Sequence, residues 1–345
     1  MGEGECSLLL GRLRLACYTD GFLGTTVNSS MQSWVDEIRA GNPRALARAI
    51  TSVENRDKQS HELLKSLFEH SGKARILGLT GSPGAGKSTL VDALAKEYRK
   101  QGKTIGIVAV DPTSPFSGGA ILGDRIRMSS HHADPGIFIR SMATRGALGG
   151  LSHTTADIAT VLDASGRDLV MIETVGVGQD EIDIVRLADV TMVILVPGMG
   201  DDVQSIKAGI MEIADVFVIN KADRDGAERV EREIRAMQSL AHPRTDNWTP
   251  PIIKTVASDG TGVPELAAAI DSYEKFLDST ELGRKRRMEN WRDRLIAMLR
   301  DELLERVLRQ QMSDEDATRF AAEVAEHKRD PYTLIDEIIG KFNGK

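Results

Sequence analysis

The chain has 345 residues and a mass of 37.6 kDa, enough for one large α/β core with helical extensions or for two modest domains. Its 44 Lys and Arg residues against 51 Asp and Glu residues give a net charge of −7, so no general attraction to nucleic acid or anionic membranes is expected. The apolar runs are far shorter than the roughly 20 residues of a membrane span, and only two cysteines are present. We therefore expect a soluble, cytoplasmic protein without a disulfide framework.

The first thirty residues differ in composition from the rest of the chain. Residues 1–30 contain a short leucine run followed by arginines, without a secretory cleavage pattern, and we predict a disordered extension. The natural start could lie at Met31. Residues 31–73 have helical periodicity, and Asn42 followed by Pro43 is typical of an N-cap and first helical turn. The sequence therefore predicts a helical N-terminal arm.

Residues 74–281 change to short apolar runs that alternate with amphipathic stretches. This alternation favours repeated βα units and a mostly parallel sheet, in which strands covered by helices on both faces are apolar throughout. The predicted fold class is therefore α/β. The seven predicted strands are residues 76–80, 104–110, 137–140, 169–172, 191–196, 216–220 and 252–256.

Residues 282–345 return to helical periodicity. A long amphipathic helix follows the basic run 284–287. We interpret the basic run as a solvated face. Ser313 with Asp316 resembles a capping box, and Pro331 opens a last helix. Such an apolar helical unit needs either a core of its own or a second subunit, and we predict a dimerisation region.

A complete GxxxxGKS motif lies between the first predicted strand and a helix. Its glycines allow backbone N–H groups to turn toward phosphates, and the helix N-terminus adds positive potential. Lys87 would reach the β- and γ-phosphates and contribute to catalysis, and the Ser88 hydroxyl would bind Mg²⁺. The predicted phosphate-binding residues are Gly81, Ser82, Pro83, Gly84, Ala85, Gly86, Lys87, Ser88 and Thr89.

Three acidic residues are candidates for the magnesium site, because Mg²⁺ prefers oxygen ligands. Asp111 ends the second predicted strand, Glu173 ends the fourth, and Asp124 follows a glycine-rich segment. Glu173 and Gly176 form an ExxG where many GTPases have DxxG. The acid would bind magnesium through water, and the Gly176 N–H would face the γ-phosphate. Each acid could instead be an ordinary helix cap or surface carboxylate.

The sequence Asn-Lys-Ala-Asp at 220–223 closes the sixth predicted strand and indicates a guanine site. The Asp223 carboxylate can accept both guanine N1–H and the 2-amino group in one planar fork. Adenine would leave this carboxylate unpaired. Lys221 would lie over the base while Asn220 ties the loop together. After the last strand come Val256, Ala257 and Ser258, of which Ala257 could donate its N–H to the guanine 6-oxygen.

The residue that orients the attacking water is less clearly marked in the sequence. Phosphoryl transfer depends mainly on positioning and charge neutralisation, so Lys87 and Mg²⁺ would carry most of the catalysis. Gln179 is one candidate for orienting water. The alternative is segment 197–207, whose glycines suit a mobile loop in which Asp201 and Lys207 respond to nucleotide and partner. Low intrinsic turnover is expected if a partner completes the site.

Three segments together resemble the MeaB/ArgK family of G-protein chaperones of adenosylcobalamin-dependent methylmalonyl-CoA mutase. They are residues 111–128, residues 173–181 and the Asn-Lys-Ala-Asp motif. The resemblance covers Met31 to the C-terminus and implies a homodimeric P-loop G domain with helical extensions at both ends. It also implies that Asp111, Asp124 and Glu173 are the magnesium-site acids. In such a protein, GTP hydrolysis gates delivery of adenosylcobalamin to the mutase and helps exchange damaged cofactor.

The chain departs from the family pattern at two positions, and three other functions are alternatives. Ser82 replaces a common proline and Val256 a usual serine, and neither removes a side chain assigned to chemistry. A nickel-insertion GTPase would need a cysteine or histidine cluster, whereas the only adjacent histidines are His131 and His132. A transport-associated ATPase or protein kinase of the ArgK type is the other alternative, against which the guanine motif argues. A protein in which nucleotide only holds the fold would release no phosphate.

Overall fold

The computed structural model describes residues 29–111, 134–143, 150–174, 187–198, 213–240 and 248–342. Within these residues the chain forms ten helices and one seven-stranded sheet. The helices are α1 (Ser29–Arg39), α2 (Pro43–Glu54), α3 (Ser60–Phe68), α4 (Lys87–Lys100), α5 (Gly150–Ala164), α6 (Ala227–Leu240), α7 (Val263–Asp278), α8 (Glu281–Gln311), α9 (Asp314–Ala325) and α10 (Pro331–Phe342). The strands are β1 (Arg75–Gly81), β2 (Ile105–Asp111), β3 (Ile137–Ala143), β4 (Leu169–Glu173), β5 (Val190–Leu195), β6 (Val216–Asn220) and β7 (Ile252–Thr255).

The sheet has the strand order β3-β2-β4-β1-β5-β6-β7, and all its pairings are parallel. This confirms the predicted α/β class and all seven predicted strands, with ends that agree to within three residues. The central strand β1 lies between β4 and β5, and the chain builds one half of the sheet before crossing to the other. In such sheets ligands bind beyond the carboxyl ends of the strands, near the point where the connections diverge.

Alternating residues of each strand contact two different helical layers. On one face, Leu77 and Leu79 of β1 lie in a buried cluster with α4 and α7. On the other face, α5 and the helices α1–α3 cover one half of the sheet, and α6 covers the other half. The N-terminal helices are therefore packing elements of the core. Because both faces are covered, the central strands are apolar throughout, as their sequences predict.

Local capping fixes several helix starts. The Asn42 side chain accepts hydrogen bonds from the N–H groups of Arg44 and Ala45 at 2.9 and 3.1 Å, and α2 begins at Pro43. Ser313 and Asp316 form the predicted capping box of α9. These signals were readable in the sequence because they involve residues two or three positions apart.

The long helix α8 differs from the rest of the fold because only Gly283 is buried among its 31 residues. It packs against α7 and α10. None of the described helices combines the length and hydropathy of a membrane span. The large apolar residues that α8 and α10 leave exposed are Met288, Trp291, Leu295, Ile296, Met298, Leu299, Leu303, Leu304, Leu308, Tyr332, Ile335 and Ile339.

One member of the basic run 284–287 does not lie on the solvated face that we expected. The Arg286 guanidinium donates to both carboxylate oxygens of Asp215 at 3.0 Å, and Asp215 is fully buried. Burial of a carboxylate next to an apolar core requires such a partner. The sequence did not reveal this pairing, since the two residues are 71 positions apart.

Candidate nucleotide-binding site

The loop between β1 and α4 has the backbone conformation that a phosphate cradle requires. Gly84 and Gly86 have φ angles of 80° and 86°, which glycine adopts without steric cost. A Cβ atom on Gly86 would lie 2.5 Å from Asn220 Nδ2, so the neighbouring loop leaves no room for a side chain. Helix α4 begins immediately afterwards at Lys87, and the N-terminus of a helix is a favourable site for an anion.

The Lys87 ammonium lies inside this loop. Its side chain is buried, and Nζ donates to the carbonyl oxygens of Gly81 at 2.7 Å and Ser82 at 3.1 Å. These contacts hold a positive charge among the backbone groups that would surround phosphates. A charge held in place before the ligand arrives needs little reorganisation to neutralise a phosphate.

Ser88 and Glu173 bring two oxygen donors together next to the phosphate loop. The Ser88 hydroxyl donates to Glu173 Oε1 at 2.6 Å, and both side chains are buried. This contact follows from the sheet, because the β1–β4 register places Glu173 opposite Leu79, just before the loop. A hydroxyl and a carboxylate are ligands that Mg²⁺ takes alongside nucleotide phosphates, so these residues fit a magnesium ion.

The other two predicted magnesium acids are only partly described. Asp111 is the last residue of β2, which pairs with β4 in the register Ala109 to Glu173. Its backbone therefore ends at the same edge of the sheet as Glu173, while its side chain lies outside the described residues. Asp124 also lies outside them.

Asn220 connects the base loop to the phosphate loop. Its Nδ2 donates to the carbonyl oxygen of Ala85 at 2.8 Å. Its Oδ1 accepts hydrogen bonds from Thr255 Oγ1 and the Ala257 N–H, both at 3.2 Å. One buried side chain thus ties the end of β6 to the loops after β1 and β7. The Ala257 N–H, predicted to face the base, donates to Asn220 in this conformation.

The neighbouring residues of the base loop lie around this connection. Lys221 has a positive φ of 55°, and its Nζ donates to the Gly84 carbonyl at 2.7 Å. Asp223 is exposed two residues later, as is Ser258 after β7. The Val256 N–H donates to Thr261 O at 2.9 Å and closes the turn. The structure therefore brings the predicted phosphate and base residues together at one edge of the sheet.

The remaining predicted residues of the site, Gly176, Gln179, Asp201 and Lys207, lie outside the described residues. Sequence analysis also missed three threonines that the structure places beside the site, namely Thr80, Thr174 and Thr255. Each is a polar residue at the end of an apolar strand. That position was the available signal, because most buried hydroxyl groups in proteins have a hydrogen-bond partner.

Comparison with known proteins extends beyond the site to most of the chain. A family model described as methylmalonyl Co-A mutase-associated GTPase MeaB matches residues 46–312, which include both nucleotide loops. A putative GTPase of Pyrococcus horikoshii is 46% identical over 316 residues, covering 90% of this chain and 98% of that protein. The GTPase ArgK of Escherichia coli is 35% identical, covering 83% of this chain and 87% of its own.

A mammalian protein and a solved structure are also similar. The mitochondrial methylmalonic aciduria type A homolog of Mus musculus is 36% identical over 312 residues, covering 84% of this chain and 74% of that protein. A crystal structure described as an LAO/AO transport system kinase superposes with a TM-score of 0.68 at 27% identity. It covers 92% of this chain and 99% of that one.

Proposed function

The chain belongs to the family of methylmalonyl-CoA mutase-associated GTPases, and from this membership we propose that it is a magnesium-dependent chaperone of such a mutase. GTP hydrolysis is the activity that the family shares. The proposal is that hydrolysis gates the loading of adenosylcobalamin and the reactivation of the mutase. The observation that carries the nucleotide part is the contact of Asn220 with Ala85 and Ala257, since it joins the phosphate and guanine loops into one pocket.

The proposed chemistry assigns one task to each part of the pocket. Lys87 and the N-terminus of α4 neutralise the phosphates, and Asp223 selects guanine through its two donors. Ser88 and Glu173, with Asp111 and Asp124, would hold the magnesium ion. When bound, this ion would help to neutralise the charge of the nucleotide phosphates.

The proposed mechanism leaves one role with two candidates. The Gly176 N–H would contact the γ-phosphate. Gln179 or the segment containing Lys207 would orient the water that attacks it. A site whose water-orienting group is completed by a partner turns over slowly alone and faster in the complex.

We also propose that two copies of the chain associate through the exposed apolar face of α8 and α10. A helix in a soluble environment normally buries its apolar stripe. On α8, Leu295 is 59% exposed and Leu299 is 60% exposed, although both are spaced to share one stripe. Covering these residues with the same face of a second copy gives a symmetric dimer. The place of action in this proposal is the cytoplasm.

The chaperone proposal is tested with a purified adenosylcobalamin-dependent methylmalonyl-CoA mutase. The mutase should accelerate phosphate release from GTP, and recovery of inactivated mutase should require GTP, this protein and adenosylcobalamin together. Lys87→Ala should abolish both effects, because the charge in the phosphate loop is lost. Lys65→Ala, at an exposed lysine of α3, is the matched control and should preserve both.

The chaperone role would be contradicted if phosphate release stayed at the same rate at every ratio of mutase to this protein, and if mutase recovery did not depend on GTP.

The second candidate function is a transport-associated kinase, which the description of the similar crystal structure favours. It predicts use of ATP and transfer of phosphate to a protein. Incubation with labelled ATP and labelled GTP in parallel separates the two functions.

A further inference from the structure

Two buried threonines hold the end of β4 against β1, directly below the phosphate loop. Thr174 follows Glu173, and Thr80 is the residue before Gly81. Thr80 is fully buried and Thr174 is 3% exposed. Thr174 Oγ1 lies 3.2 Å from Thr80 Oγ1, to which it donates, and 3.3 Å from the Leu79 carbonyl oxygen. Neither hydroxyl has a role in the nucleotide chemistry proposed above.

The threonine contact extends the strand pairing by one residue. The β1–β4 ladder ends with the pair Leu79 and Glu173. Beyond it, the Thr174 N–H donates to the Leu79 carbonyl at 3.1 Å, and the Thr174 hydroxyl adds a side-chain contact to the same strand. Glu173 is therefore held on both sides along the chain. Without the hydroxyl contact, only backbone pairing would fix the residue at the strand end.

We propose that Thr174 is a positioning residue for the magnesium acid Glu173. Its hydroxyl fixes the end of β4 to Thr80, so that the Glu173 carboxylate stays within 2.6 Å of the Ser88 hydroxyl. Thr174 thus positions the acid that is proposed to bind the metal. This inference rests on the proposed magnesium site.

Burial of a threonine in this sheet does not by itself demand such a contact. Thr191 in β5, on the other side of β1, is also fully buried. Its hydroxyl has no hydrogen-bond partner within the described part of the chain. The two residues therefore share burial and sheet environment and differ in what their hydroxyls contact. This makes Thr191 a matched control.

The test compares Thr174→Val, Thr174→Ser and Thr191→Val in the full chain. Valine keeps the shape of threonine and removes the hydroxyl. We expect Thr174→Val to lower kcat about tenfold and to raise the Mg²⁺ concentration for half-maximal hydrolysis about tenfold. Affinity for GDP without magnesium should stay within about twofold, because the phosphate and guanine loops are unchanged. Thr174→Ser should restore both values, and Thr191→Val should match the wild type.

A second readout does not depend on hydrolysis. In the nucleotide-free protein, hydrogen exchange of the backbone amide at position 174 should be faster in Thr174→Val than in Thr191→Val. If the two variants have the same magnesium requirement and the same exchange rate, the inference is wrong. The inference is also wrong if Thr174→Ser has the same lowered kcat and raised magnesium requirement as Thr174→Val. If Thr174→Val does not fold, Thr80→Val removes the acceptor instead and should raise the magnesium requirement in the same direction.

The failure of the inference is distinguishable from failure of the proposed function. Wild-type hydrolysis that needs no magnesium would overturn the proposed metal site, whatever the threonine variants do. A magnesium-dependent wild type with unaffected Thr174→Val would overturn the positioning role alone.

Discussion

The nucleotide edge and the seam between α8 and the sheet domain both bury charged side chains, but they use them differently. At the nucleotide edge, Lys87 donates to backbone carbonyl oxygens of a glycine loop. At the seam, the charges pair with each other, as in Arg286 with Asp215 and Arg294 with Asp157. Buried charge therefore does not mark a binding site by itself. The distinguishing feature is a glycine loop that follows a parallel strand and precedes a helix N-terminus, which is the type of backbone that binds phosphates.

The largest effect is expected where a ligand depends on one side chain. Asp223→Asn should lower GTP affinity about 10³-fold. The asparagine amide cannot accept both hydrogen bonds from guanine, and its NH2 group would face an N–H group of the base. The same variant should gain affinity for xanthosine triphosphate, whose 2-oxygen accepts from the amide. Calorimetry with magnesium measures both. Asp225→Asn, at an exposed position in the same turn, is the control, and a GTP affinity of Asp223→Asn within about threefold of wild type would refute the base-site assignment.

Removing a buried charge at the seam should lower the stability of the fold and leave nucleotide binding unchanged. Arg286→Met leaves the fully buried Asp215 carboxylate without its cation. Breaking a buried ion pair costs about 3 kcal/mol of unfolding free energy, and the partial exposure of Arg286 places the loss at the lower end of the usual range. Urea denaturation of nucleotide-free protein measures it. Arg284→Met, in the exposed part of the same basic run, should change stability little, and equal losses in both variants would contradict the pairing.

In contrast to the nucleotide edge and the seam, helix α8 leaves an apolar face exposed. If this face forms a dimer, Leu299→Ala should weaken association by about 2 kcal/mol, or about thirtyfold in dissociation constant. Sedimentation measures this loss, and GTP turnover per chain without a partner should be unchanged. Leu240→Ala on α6 is the control because Leu240 is 85% exposed and lies outside the proposed interface. A wild-type chain that stays monomeric at high concentration would exclude the dimer.

Features that depend on neighbouring residues could be predicted from the sequence, whereas contacts between distant residues could not. The parallel sheet, the caps at Asn42 and Ser313 and the position of the phosphate loop depend on local patterns, and the structure has them. The contact of Asn220 with Ala85 spans 135 positions. The motif predicts that Asn220 ties the loop, but only the folded sheet identifies its partners. The pairings at the seam carry no motif, since any arginine and aspartate can form them.

The smallest of the four effects is a change in stability at acidic pH, and it arises from a histidine at the seam. His153 Nε2 lies 3.2 Å from Asp301 Oδ2 of α8, and burial lowers the pKa of His153 below its usual 6.5, more than the nearby carboxylates raise it. The unfolded chain therefore binds a proton more readily than the folded one just below pH 6.5, and this residue makes stability fall as the pH falls from 7 toward 5. His153→Gln should flatten that part of the denaturation-midpoint profile. His327→Asn, at an exposed left-handed position where asparagine is tolerated, should leave the profile as in the wild type. Parallel profiles for wild type and His153→Gln would show that this histidine does not contribute to the pH dependence of stability.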